Sequence, residues 1–459
     1  MVKINMKLKV EQLAKIEEAT IEVKNLTIFV GKNSTNKSYM AHTIYMVNKI
    51  ISTRYNIADN IGALLFQDYH NTDMYAEHLE LLQTIKERSL PNLHGDHSRT
   101  VILDFSSINI SDIIKDIEDF LLEYIIDLIN QSFNSNHEII KNIYFENYKS
   151  SVTNLFYDNK LKIMSSYEGF DYHIALDEIF KKIKNNFIQH QISNKTFYFP
   201  ASRTGFVLAF DEIVSGVFGQ FGGKPTTTKM TEPMIDFISN FSKIKSGNFF
   251  DEEDERDINT DNSIQKLFEF IEKRIIKGKI IEETTAQNYT QFYLETSNKE
   301  KLNLHLSSSA TVELLPLIIF LKHFSSIEDR LLVIEEPEAH LHPKAQIEMA
   351  RLLVMLSNAG AKVLLTTHSD YILNEISNCI KLSNASTEKK KKYLERYELD
   401  ESTVISSNDV SAYLFKDIEG EKVEVDALII DEYGIANDNF DDILDELLER
   451  TDEINEMVL

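Results

Sequence analysis

Residues Leu331–Pro343 read LLVIEEPEAHLHP. Four apolar residues in a row suit a strand buried on both faces, and Pro337 stops it. The run ends in adjacent carboxylates, Glu335 and Glu336, at the strand's carboxyl end, where ligands gather in open α/β sheets. Acids so placed suit a divalent cation on the first, held directly or through water, and orientation or deprotonation of an attacking water on the second. A solvated charge pair is the bland alternative, and Pro337, Glu338, His340 and His342 make it a poor account. The two histidines lie two apart, not at the i, i+4 spacing of a helical zinc site, and no cysteine is nearby, so a catalytic zinc is not expected.

Working outward, Lys362–Leu373 reads KVLLTTHSDYIL, a second buried strand at Lys362–Thr367 whose end places His368 at the same edge. A neutral imidazole there can hydrogen-bond a terminal phosphate. Upstream, His305–Ile318 (HLSSSATVELLPLI) starts a helix on hydroxyls. Ser307 and Ser308 can form an anion site at the helix N-terminus, and an ordinary serine N-cap is the plainer reading. The alternation of helix and strand after residue 300 predicts a parallel sheet with helices on both faces.

At the other end of the chain, Lys7–Val10 and Ile21–Val30 read as strands, followed by GKNSTNKS at Gly31–Ser38 and a helix from Lys37 to about Ile51. Gly31, Lys37 and Ser38 match G-x-x-x-x-G-K-[ST], with Asn36 in place of the second glycine. Such a loop turns backbone N–H groups onto phosphate through Gly31, Asn33, Ser34 and Asn36, with the Lys37 ammonium on the β/γ oxygens and the Ser38 hydroxyl on magnesium. Asn is the non-glycine residue that best tolerates a left-handed backbone. By itself, a strand–turn–helix with Lys-Ser is as readily a structural connection.

Between these parts the pattern is mainly helical, as in ISDIIKDIEDFLLEYIIDLINQSF at Ile110–Phe133, with an acidic loop at Asp251–Asn262 and strands at Lys279–Glu283 and Thr290–Leu294. We divide the chain into a first core part (1–61), a mainly helical insertion (62–277) and a second core part (278–459). The formal charge of −25 repels polyanions and lowers the expectation of a dedicated nucleic-acid binder. The run Lys389–Lys392, flanked by Glu388 and Glu395, reads as a solvated helix face in preference to a nucleic-acid contact. Cys379 is the only cysteine, which excludes an internal disulfide and a thiolate metal cage. The N-terminus lacks signal-peptide character and no apolar stretch is of membrane-spanning length, so a cytoplasmic protein is expected, with no membrane partner.

Taken in order, GKNSTNKS, LSSSAT, LLVIEEPEAHLHP and LLTTHSD resemble the ABC-type ATPase superfamily. The branch is shared by SMC-like and OLD-like proteins and by ATPase subunits of bacterial anti-phage systems such as PARIS and Septu. The resemblance covers roughly residues 5–50 and 300–435. It implies an α/β fold, an ABC-type P-loop ATPase core with a mostly parallel sheet plus a large helical insertion, which binds and hydrolyses ATP with Mg2+. Position by position, it makes Lys37 and Ser38 the phosphate-loop lysine and magnesium hydroxyl, Glu335 the Walker B acid, Glu336 the catalytic base and His368 the switch histidine. Ser307 and Ser308 stand for the signature that completes a partner subunit's site, and Ala339–His342 for the loop that crosses the interface. A homodimer or higher homo-oligomer follows, with ATP shared between protomers. In the defence branch it also implies a separate effector, a nuclease or toxin from a neighbouring gene, with a phage protein as trigger.

The departures are a signature without its glycine, Ser34 and Asn36 where glycines are usual, and Glu335 where aspartate is usual. An SMC-like DNA-repair ATPase and a nucleotide-locked structural oligomer with little hydrolysis are the alternatives. Glu419-Gly420 and Asp431 mimic pieces of a Toprim metal site, but too little chain follows His368 for that nuclease domain. In YFPASRTGF at Tyr198–Phe206, Arg203 is either a phosphate or partner contact or a structural arginine in a turn.

Overall fold

Leu26–Gly31, Arg330–Glu335 and Lys362–Thr367 are strands buried at every residue, as unbroken apolar runs require. The computed structural model describes residues 5–52, 100–104, 122, 125–133, 139–145, 160–164, 195–201, 203–210, 230–245, 262–285, 290–323 and 326–436.

The chain opens with β1 (Met6–Leu13), β2 (Ile16–Val23), β3 (Leu26–Gly31) and α1 (Lys37–Ser52). Next come β4 (Thr100–Asp104), β5 (Asn142–Phe145), β6 (Lys160–Met164), β7 (Lys195–Phe199), α2 (Arg203–Leu208), α3 (Glu232–Lys245) and α4 (Asn262–Phe270), the last running into a π-helical turn, Ile271–Ile276. After β8 (Gly278–Thr284), β9 (Thr290–Thr296) and β10 (Lys301–Asn303), the alternating part holds α5 (Ser309–His323), β11 (Arg330–Glu335), α6 (Pro343–Asn358), β12 (Lys362–Thr367) and α7 (Asp370–Asn384). It closes with α8 (Thr387–Tyr397), β13 (Val410–Ile418), β14 (Lys422–Ala427) and a small ribbon, β15 (Ile430–Asp431) and β16 (Gly434–Ile435).

Nine strands form one sheet in the order β5-β1-β2-β14-β13-β3-β12-β11-β7. The run from β13 to β7 is parallel throughout, with Leu364 of β12 opposite Thr27 of β3 and Val333 of β11. β1–β2, β1–β5 and β13–β14 are antiparallel. The architecture is therefore α/β with a mostly parallel sheet. Its main hydrophobic core includes Leu332, Ile334, Val363 and Leu365 from the sheet, Leu315, Ile319 and Phe320 from α5, and Leu352, Leu353 and Leu356 from α6.

The expected single run Ile21–Val30 is two strands. Polar Lys24 and Asn25 make the turn, where the Lys24 N–H is taken by Thr27 Oγ1 and Asn25 Nδ2 reaches Asp409. Among the described residues four strands fall inside 62–277, and two of them, β5 and β7, form opposite edges of the central sheet. β7 is five residues long, too short for a strand pattern to stand out in a stretch read as helical. Of Ile110–Phe133 only 122 and 125–133 are described, and they are helical up to a turn at Phe133. The acidic loop Asp251–Asn262 lies outside the described residues apart from Asn262, where α4 begins. Glu419-Gly420 is the left-handed hairpin turn between β13 and β14, and Asp431 accepts the Tyr433 N–H. None of the described helices is long and apolar enough to cross a membrane.

Candidate nucleotide site

Adjacent parallel strands β3, β12 and β11 bring the loop Gly31–Ser38, His368 and Glu335-Glu336 to one edge of the sheet. The loop is built on three positive φ angles, at Gly31 (148°), Ser34 (63°) and Asn36 (62°). At Gly31 a Cβ would lie 2.4 Å from Phe415 O, so only glycine lets β3 close on β13 there. Asn36 takes the left-handed turn, as expected of it. Its carbonyl accepts the Met40 N–H at 3.1 Å, starting α1. Asn33 and Ser34 are exposed at the loop's tip.

Lys37 is buried, with its ammonium folded into its own loop. It donates to Gly31 O at 2.9 Å, to Lys32 O at 2.6 Å and to Thr35 Oγ1 at 3.2 Å. Burial pulls its pKa down to about 8, against the opposing charges of Glu336 and Glu338. Phosphate oxygens favour the charged ammonium, so nucleotide binding above about pH 8 requires proton uptake. On this basis affinity for phosphate is highest below about pH 8 and falls as pH rises above it, by at most about tenfold per pH unit. Calorimetric titration at pH 9 in two buffers of different ionisation heat measures this, and identical heats in both would contradict it.

Glu335 is 5% exposed, and burial raises its pKa. The Ser38 and Tyr198 hydroxyls face its carboxylate, and the Ala201 N–H approaches Oε2 at 3.4 Å. Its Oε1 is buried with no hydrogen-bond partner among the described residues. A desolvated acid with one idle oxygen, next to a hydroxyl, fits a magnesium ion.

Glu336, the next residue, is half-exposed at φ 42°. Its Oε1 lies 3.6 Å from His368 Nε2, and that contact holds its carboxyl below the usual carboxylate range. The two adjacent acids thus differ in environment: one enclosed beside Ser38, one open beside an imidazole. Glu338 serves as a brace, accepting the His368 N–H at 2.6 Å and the Thr367 hydroxyl at 2.8 Å. It ties the end of β12 to that of β11.

Ser307 and Ser308 are not part of this cluster of hydrogen bonds. The Ser307 hydroxyl donates to Asn303 O at 3.2 Å, and Ser308 Oγ meets Thr311 Oγ1 at 2.9 Å and accepts the Thr311 N–H at 3.3 Å. Within one chain Ser308 is the plain N-cap that the sequence allows. In the loop Ala339–His342, Leu341 is in the core and His342 caps α6 through the Lys344 N–H. Three of the four lysines in Lys389–Lys392 pair with glutamates: Lys390 with Glu401, Lys391 with Glu395 and Lys392 with Glu388. This is the solvated face expected.

For Arg203 the structure decides between the two readings of the sequence. It is 3% exposed and turned inward, donating to Glu335 O at 2.6 Å, Pro200 O at 3.1 Å and Glu336 O at 3.2 Å. The structural reading holds, and contact with phosphate does not. Sequence reasoning missed Glu313, which pairs with Arg203, and Tyr198, whose hydroxyl meets Glu335. A buried glutamate amid the apolar run of α5 was the available signal for the first.

The sequence profile of the family described as "AAA domain, putative AbiEii toxin, Type IV TA system" matches residues 85–374, and the chain belongs to this family. Its core is a P-loop ATPase domain. The matched region includes Ser307, Ser308, Glu335, Glu336 and His368, and begins after the phosphate loop. Similar solved structures include an SmcHead bound to the C-winged helix domain of ScpA (11% identity, 92% of this chain and 98% of that one, TM-score 0.36). A Smc head domain with an extended coiled coil from Pyrococcus furiosus, bound to the C-terminal domain of ScpA, is 9% identical over 98% and 99% of the two chains, with TM-score 0.36. The SMC head domain from Thermotoga maritima is 9% identical over 93% and 100%, with TM-score 0.33. No curated protein matches.

Proposed function

We propose that the chain is an ABC-type ATPase that binds and hydrolyses ATP with Mg2+ at an interface between two copies of itself. The observation that carries this reading is the meeting of Lys37, Ser38, Glu335, Glu336 and His368 at the ends of three neighbouring strands. Lys37 exchanges its loop carbonyls for phosphate oxygens, while the loop's N–H groups and the start of α1 supply further positive potential. Ser38 and Glu335 would hold the magnesium, which neutralises phosphate charge when bound. Glu336, open to solvent and held ionised beside His368, orients the attacking water and takes its proton. His368 reaches the terminal phosphate from the end of β12.

Hydroxyl donors for the far side of the phosphates are supplied by Ser307 and Ser308 of a second copy, which makes the working unit a homodimer or a multiple of one. The protein acts in the cytoplasm as sensor and scaffold of a bacterial anti-phage system, releasing or activating a separate effector, a nuclease or toxin, when a phage protein is encountered. That part rests on the resemblance of the four motifs.

Ser308→Arg tests the shared site. Phosphate release should fall on the order of 100-fold, as for removal of a transition-state donor, with ATP affinity unchanged. Normal turnover by this variant would show that the serines complete no partner site.

A further inference from the structure

Glu313 lies one turn inside α5, the helix whose start carries Ser307 and Ser308, and is 1% exposed. Its Oε1 lies 2.7 Å from Arg203 Nη2, and its Oε2 accepts from Thr204 N at 3.1 Å and Thr204 Oγ1 at 2.6 Å. The same guanidinium donates to the main-chain carbonyls of Glu335 and Glu336. One rigid, planar group therefore spans the serine-bearing helix and the two residues whose side chains form the acidic site. Ala201 and Tyr198, from the same short segment, meet the carboxylate of Glu335, so they and Arg203 form its mount.

Stability alone does not account for this arrangement. An ion pair so enclosed loses most of its Coulomb gain to desolvation, and an apolar pair of the same volume would hold the helices together as well or better. What the charged pair adds is direction: Arg203 cannot keep its ion pair with Glu313 and its hydrogen bonds to both carbonyls if α5 shifts against β11.

We infer that Arg203 and Glu313 form a relay from the serine end of α5 to Glu335 and Glu336. Engagement of a subunit's serines on nucleotide held by a second copy moves Glu313, and Arg203 passes that movement to the acids of the subunit's own site. The inference rests on the shared-site reading above and adds that the two sites fire in a coupled manner. Arg203 and Glu313 are positioning residues, since neither touches the nucleotide.

The relay is tested on the full chain by phosphate release against ATP concentration, with affinity measured separately by titrating a non-hydrolysable ATP analogue. Wild type should give a Hill coefficient approaching about 2, the number of coupled sites. Glu313→Gln, which keeps the volume and the Thr204 contacts, should bring it to about 1, lower kcat about tenfold or more and leave analogue affinity within about twofold. If that variant fails to fold, Thr204→Val gives the same readout, with a smaller change in the same direction. A variant with wild-type kcat and Hill coefficient overturns the relay, as does an equal loss of affinity and turnover. A wild-type Hill coefficient of 1 overturns the relay and leaves the ATP site standing. Absence of analogue binding by wild type overturns the site itself and the relay with it.

Discussion

Lys37→Ala should abolish ATP binding in a direct titration while leaving the protein at least as resistant to heat as the wild type. The two halves of this expectation have one physical cause. Without nucleotide the ammonium sits in a desolvated loop, and its depressed pKa shows that its acceptors and the nearby acids do not repay the loss of water. Removing that charge does not destabilise the fold on this account. With nucleotide, the ammonium gives charge-assisted bonds to phosphate at about 1.5–3 kcal/mol each, so losing two costs roughly two to four orders of magnitude in affinity. The alanine variant also frees Gly31 O and Lys32 O, which repel an approaching phosphate. Thermal unfolding and titration on the same preparation give both numbers, and an unchanged affinity would remove the phosphate-loop assignment.

Glu336→Gln should separate binding from chemistry. The amide keeps the shape of the carboxylate and can still hydrogen-bond His368, but it cannot take a proton from water. Loss of a general base of this kind costs about 10²–10⁴ in turnover. It also removes a negative charge beside the γ-phosphate, so ATP affinity should hold or rise. The variant should therefore accumulate as an ATP-bound dimer, visible by light scattering after size exclusion with ATP and magnesium and absent without them. A wild-type rate of phosphate release no higher than that of Glu336→Gln would favour the alternative of a nucleotide-locked oligomer.

These two variants probe the ends of β3 and β11, which only the sheet brings together, with β12 between them. Failure of Lys37→Ala would remove phosphate binding at β3. Failure of Glu336→Gln would leave the nucleotide bound and reassign the acid at β11. Neither result bears on the proposed defence role, which the identity of an effector that co-purifies with the protein would decide.

The strand-forming runs were legible from the sequence because burial on both faces leaves a plain pattern, several apolar residues in a row closed by a turn residue. Lys362–Thr367 occupies the residues read for it, and β11 adds one residue at each end of Leu331–Ile334. The left-handed turn at Asn36 was legible for a similar local reason, since few residues tolerate that backbone. The edge strand β7 was not legible: five residues carry little periodicity, and their role depends on β11, more than 130 positions away.

The same distinction runs through the site. The sequence by itself marked Lys37, Ser38, Glu335, Glu336 and His368 as the candidates for the chemistry, because strand-end position and side-chain type are local properties. Only the tertiary structure decided that Arg203 faces inward to the acids' carbonyls and not outward to a phosphate. It alone decided that Glu313 answers Arg203, that Tyr198 and Ser38 flank Glu335, and that Glu338 braces His368. These pairings join segments up to about 300 residues apart, and strand order and register bring them into contact, which no local pattern of side chains encodes.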